Sequence, residues 1–125
     1  MYYVYYSTPK DWSGQSNINI DIYKSGYSVS AAVALKTGPS FEWIESTPQT
    51  LSDGWNYLSF SLGSSTWKSQ ATNWAYTTTV SNKNQVSQLS VVLTPTNDGY
   101  GEAFFDNVKV CVSQTPSNPQ LKHKQ

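Results

Sequence analysis

Eight carboxylic acids, one histidine and one cysteine are the side chains best suited here to attack, protonate or ligate. Glu42 and Glu45 are the obvious pair of acids. Two facing carboxyl groups are what glycoside hydrolysis asks for, one to protonate the leaving oxygen and one to attack or to activate water. Glu42 and Glu45 are three apart in a segment that reads as strand, and side chains alternate along a strand, so the two point to opposite faces. Asp11, Asp53 and Asp98 sit in turn contexts. His123 is the sole imidazole and lies in a polar tail, so Ser–His and metal–His arrangements lose their commonest base and ligand. Cys111, within Val108-Lys109-Val110-Cys111-Val112, takes the place of a small buried hydrophobe on a strand. No His or basic cluster near it lowers its pKa, and a single Cys forms no internal disulfide. The chain reads as non-catalytic.

Charge narrows the partners. Charged residues make up 13% of the chain and the formal net charge is zero. All eight cations are Lys, with no Arg. That argues against nucleic acid, which is gripped by a basic face and Arg forks. No Lys cluster or basic amphipathic stretch suits an anionic membrane, and no apolar run is long enough to span one. Met1-Tyr2-Tyr3-Val4-Tyr5-Tyr6 lacks the basic start and apolar run of an export signal. Aromatic residues, by contrast, are abundant at 14%, with five Trp and nine Tyr.

The elements that must position these aromatics follow from alternation. Asn17-Ile18-Asn19-Ile20-Asp21-Ile22-Tyr23 places three Ile on one face and polar groups on the other, and Lys24-Ser25-Gly26 reads as a turn. Val29, Ala31, Val33 and Leu35 form the next inward set, ended by Thr37-Gly38-Pro39-Ser40. A short strand, Phe41-Glu42-Trp43-Ile44-Glu45, precedes the turn Ser52-Asp53-Gly54, and Leu58, Phe60 and Leu62 point inward after it. Residues 63–85 lack a period and read as a long loop carrying Trp67, Trp74 and Tyr76; loops of that length in a compact domain are usually functional or disordered. Leu89, Val91 and Leu93 mark another strand, Thr94 to Tyr100 reads as a turn, and the last strand runs from about Glu102 to Val112. With Tyr2 to Tyr6 these make seven short strands and no helical stripe. The fold expected is all-β, a two-sheet antiparallel β-sandwich over residues 1–113, with 114–125 as a linker or disordered tail.

Three stretches resemble the jelly-roll carbohydrate-binding modules attached to bacterial mannanases, cellulases and xylanases. They are Asp11-Trp12-Ser13-Gly14 before an Ile-rich strand, the block from Leu35-Lys36-Thr37-Gly38 through Phe41-Glu42-Trp43 to Leu51-Ser52-Asp53-Gly54-Trp55-Asn56, and Ala103-Phe104-Phe105-Asp106-Asn107-Val108. The resemblance covers roughly residues 10–112, and the middle block is its most specific part. It implies a jelly roll that is secreted, extracellular, joined to a catalytic domain in a longer parent chain, and dedicated to plant cell-wall degradation. It also implies a structural calcium held in part by Asp106. The family's opening strand, which carries another acidic ligand, is not visible before Tyr2. Calcium takes roughly six to eight oxygens, so Asp106 alone does not hold it.

Polysaccharides offer flat C–H faces edged with hydroxyls, and Trp and Tyr rings give large contact area at small entropy cost. Trp43 leads the binding candidates, because its strand is too short and polar to need a Trp for core. Trp74 and Tyr76 follow, as rings in a polar loop with no core to fill. Lys36, Gln88, Tyr23 and Asp21 share the outward parity of their strands and are the expected polar partners. Trp55, opening an inward-packing strand, is expected to serve the fold. The expected partner is a β-linked mannan, β-glucan (cellulose) or xylan. The rivals are a structural or adhesive β-sandwich of a cell-surface protein and, further off, a jelly-roll hydrolase.

Overall fold

In the computed structural model the chain is all-β, with two antiparallel sheets stacked as a sandwich; the structure describes residues 2–26, 28–95 and 101–114. The strands are β1 (Tyr2–Lys10), β2 (Gln15–Gly26), β3 (Val29–Thr37), β4 (Glu42–Ser46), β5 (Gln49–Thr50), β6 (Gly54–Ser61), β7 (Trp67–Ser69), β8 (Val86–Pro95) and β9 (Gly101–Gln114). The larger sheet runs β1-β8-β3-β4-β7, with β5 also paired to β3, and the smaller runs β6-β2-β9.

The alternating apolar sets meet between the sheets. Ile18, Ile20 and Ile22 from β2, with Leu58 and Phe60 from β6, pack against Val33 and Leu35 of β3, Ile44 of β4 and Leu89 and Val91 of β8. Fully burying one such side chain contributes about 1.5–3 kcal/mol, which makes this layer the main stabilising element. Trp12 and Trp67 join the same core. Trp67 is fully buried and donates its indole N–H to the Ser61 carbonyl at 2.8 Å, satisfying the polar end of the ring.

The loop expected over residues 63–85 contains β7 and a 3-10 turn, Gln70–Thr72. Three residues, Trp-Lys-Ser, are too few to show a period, so pairing with β4 decides that strand. The turn expected at Lys24-Ser25-Gly26 is instead the end of β2. Lys24 falls on the inward parity of the three Ile and is buried; its ammonium pairs with Asp53 at 2.5 Å and donates to the Gly26 carbonyl at 3.1 Å. An inward Lys looks like a break in the pattern because its partner lies on a distant turn. Asn56 likewise sits inward. Its amide binds the Ser52 N–H and the carbonyls of Ser52, Gly54 and Ile22, pinning the turn before β6.

β9 runs two residues past Val112, to Gln114, which pairs with Gln15. Its ladder with β2 is irregular. Asp21 pairs with Lys109 and Tyr23 with Phe104, so two steps along β2 match five along β9 and the stretch around Asp106 bulges. The expected turn keeps Thr94 and Pro95 within β8, and its remainder, like the expected tail beyond Gln114, lies outside the described residues. No helix among the described residues is long and apolar enough to cross a membrane.

Candidate functional site

The outward face of the larger sheet is built by register. Lys36 of β3 lies between Trp43 of β4 and Gln88 of β8, and Gln88 pairs in turn with Tyr5 of β1. The next row inward along β3 is Tyr3, Ser90, Ala34, Glu45 and Lys68, the last from β7. Cross-strand partners share a face, so both rows stand on the side away from the core. Ala32, Ala34 and Ser90 form a low, buried floor on that side. Larger side chains flank it, and Gln88 donates its amide to the Ser90 hydroxyl at 3.0 Å.

At the β4 end this face opens into a cleft of about 660 Å3 lined by the β3–β4 turn (residues 37–41), Glu42, Trp43, Gln70, Trp74 and Asn82. Its walls are held in unusual backbone. Phe41 (φ 53°), Trp74 (φ 62°) and Asn82 (φ 56°) all adopt left-handed conformation, and all three line the cleft. Asn tolerates that region; bulky side chains rarely enter it. Trp74 is placed there by the end of the 3-10 turn. The Trp74 N–H reaches the Ser69 carbonyl at 2.9 Å and the Asn73 N–H the Gln70 carbonyl at 3.0 Å, with Asn73 itself left-handed. That is the Schellman pattern, which accounts for Asn73 but gives no licence for a second left-handed residue. Phe41 closes the turn from Gly38, whose carbonyl accepts the Phe41 N–H at 3.2 Å. Gly38 itself is obligatory: φ is 79°, and a Cβ there would meet the Asn82 amide nitrogen at 2.8 Å.

The rings are exposed, Phe41 at 55% and Trp74 at 50%. Trp43 is half-buried and donates its indole N–H to Glu45 at 3.0 Å. On β7, where Lys68 pairs with Glu45, the Lys68 ammonium lies 4.8 Å from the centre of the Tyr76 ring. The cleft also holds an orphan. Thr37 is fully buried at its edge, and its hydroxyl has no hydrogen-bond partner. Such a group is costly to bury, and it lies beneath the surface, out of reach of anything in the opening. Rings, amides and a carboxylate around one opening suit a ligand with both apolar faces and hydroxyls.

Of the residues singled out from sequence, Trp43 and Trp74 line the cleft, Lys36 and Gln88 continue its face, and Tyr76 lies against Lys68 of β7 and is not among the lining residues. Tyr23 and Asp21 do not belong with them. They lie on β2, in the smaller sheet, opposite Trp55 and Tyr57 of β6, on the far side of the sandwich. Parity was read correctly, but parity does not say which sheet a strand joins. Trp55, expected to serve the fold, is 41% exposed there and packs edge-on against Tyr23 with ring centres 5.6 Å apart. Its parity follows Tyr57 and Ser59, not Leu58 and Phe60. Glu42 and Glu45 fall on opposite faces of β4 by register, since Thr37 and Ala34, their partners, do. Asp106 is on β9, but its side chain lies outside the described residues. Among the described residues no group of three His, Cys, Asp or Glu gathers as a metal site.

Sequence reasoning missed Phe41, Asn82 and Gln70 as cleft residues, and Tyr3 and Tyr5 as outward rings. The signal for the last two was present, since Tyr3 and Tyr5 flank Val4 with period two. For Phe41 the clue was an aromatic closing a Gly-Pro-Ser turn. No protein-family model matches the chain, and no match was found among curated proteins or solved structures.

Proposed function

We propose that this domain binds a β-linked plant cell-wall polysaccharide, of the mannan, β-glucan (cellulose) or xylan type, by aromatic stacking, and cleaves no bond itself. The observation that carries the reading is the pair of bulky aromatics, Phe41 and Trp74, both held in left-handed backbone and both lining the cleft of Trp43. Such strain costs on the order of 1–3 kcal/mol per residue, and it concentrates where structure serves binding or catalysis. Two rings presented at that cost, with a third beside them, match a ligand whose surface is flat and apolar with a polar rim. Glu42 and Glu45, on opposite faces, do not make the facing pair that hydrolysis uses.

In this reading the domain is a jelly-roll carbohydrate-binding module that is secreted and holds an attached glycoside hydrolase against its substrate. A structural calcium at Asp106 belongs to the same proposal, with backbone carbonyls and water completing its shell. Affinity electrophoresis in gels containing glucomannan, hydroxyethylcellulose or xylan tests the function. Retardation in at least one gel is expected, and unaltered mobility in all three ends the proposal.

A second reading, an adhesive β-sandwich of a cell-surface protein, is favoured by the exposed Tyr23, Trp55 and Tyr57 on the smaller sheet. That patch has the aromatics but not the strained backbone of the cleft, so it ranks below.

A further inference from the structure

We infer that the cleft takes a cationic amino sugar, a β-linked glucosamine unit with its amine protonated, more tightly than the neutral sugar of the same shape. Glu42 makes the distinction. This rests on the reading of the cleft as a sugar site and adds a ligand class and the residue that selects it.

Ten residues line the cleft, and Glu42 alone among them carries a charge. It opens β4, half-buried, between two lining rings, Phe41 and Trp43. Its carboxylate enters no hydrogen bond or ion pair among the described residues. Asp11, Glu45 and Asp53, by contrast, each bond a neighbour: Ser13, Trp43 and Lys24. A half-buried carboxylate without a partner gains most from a cation, through a charge-assisted hydrogen bond about twice as strong as a neutral one.

The rings favour the same sign. Phe41, Trp43 and Trp74 bring three π-systems to the opening, and the face of such a ring attracts a cation, Trp most strongly. No Lys lines the cleft to oppose it. Just outside the lining, Lys36 stands across from Trp43 and Glu45 is bonded to its indole; being of opposite sign, they add little net field. The chain as a whole is neutral, so no general field draws cations in, and any preference must arise at the cleft. A sugar ammonium satisfies Glu42 and the rings together, while the C–H face of the same sugar remains free to stack.

The test is titration calorimetry of the full chain with two tetrasaccharides, cellotetraose and its glucosamine counterpart, which replaces one ring hydroxyl per sugar with an amine. At about pH 5.5, above the ordinary Glu value of about 4.3, both the carboxylate and the sugar amine are charged. The amino sugar binds about tenfold tighter, the scale of one charge-assisted contact. Glu42→Gln, which keeps the shape and an acceptor, cuts that ratio to about threefold or less, which is what the rings supply alone. Trp74→Ala lowers the affinity of both ligands. Unchanged melting temperatures separate loss of charge from loss of fold. Equal affinity for the two tetrasaccharides in the parent, or an undiminished ratio in folded Glu42→Gln, overturns the inference. If neither tetrasaccharide binds but a neutral polysaccharide gel retards the protein, the inference falls alone; if no gel retards it either, the proposed function falls with it.

Discussion

Trp43 and Glu45, alternate residues on the outward side of β4, are joined by a hydrogen bond of 3.0 Å from the indole N–H to the carboxylate. The bond fixes the plane in which the Trp43 ring meets the cleft. Glu45→Gln keeps an acceptor at that place and should bind polysaccharide as the parent does. Glu45→Val removes it and should weaken binding by about 1 kcal/mol, the usual worth of one hydrogen bond. Calorimetry on the two variants checks the ranking, and equal binding by both would show that the ring needs no such tether.

Three tryptophans should behave in two ways. Trp43→Ala and Trp74→Ala each remove a ring from the cleft and should cost about 1–3 kcal/mol of binding while the fold survives. Trp67→Ala empties a fully buried site and should cost about 3–5 kcal/mol of stability. Urea unfolding and affinity electrophoresis together separate the classes. Parental binding by both cleft variants would put the site elsewhere.

Tyr23 and Trp55 sit on the opposite sheet from the cleft. Tyr23→Ala and Trp55→Ala should therefore leave mobility in polysaccharide gels unchanged. A loss of retardation in either variant would move the binding face to the smaller sheet.

Asp106 stands in the irregular stretch of β9. If calcium is bound there, it stabilises the folded state by mass action, so the melting temperature should be higher with calcium than with a chelator. An identical temperature in both removes the ion and leaves the bulge.

Asp11 accepts hydrogen bonds from the Ser13 hydroxyl and from the Ser13 backbone N–H at 3.0 Å. The hydroxyl, and then the backbone bond, hold its carboxyl below the ordinary value of 3.8. A lowered folded-state pKa means that its contribution to stability is complete above 3.8 and fades as pH falls through the lower folded value. Ser13→Ala should shift the Asp11 carboxyl resonance upward in pH, toward 3.8, in an NMR titration. An unmoved midpoint would assign the shift to something other than Ser13.

Alternation in the sequence by itself determined that Ile18, Ile20, Ile22, Leu58, Phe60, Leu89 and Val91 face a core, because side-chain direction along a strand is a local property with period two. It also determined the all-β class, and that Trp43, Lys36 and Gln88 point outward. It did not determine which outward face each strand would show, so Asp21 and Tyr23 were grouped with residues on the far side of the sandwich. Sheet membership is settled by pairing between distant segments, and no local period encodes it. The same holds for Lys24, whose inward place makes sense only beside Asp53, and for the short β7, which exists through its pairing with β4. Only the tertiary structure brought Phe41, Trp74 and Asn82 to one cleft and held them in left-handed backbone. Local propensity opposes that conformation for the two rings, and the packing of the surrounding turns overrides it.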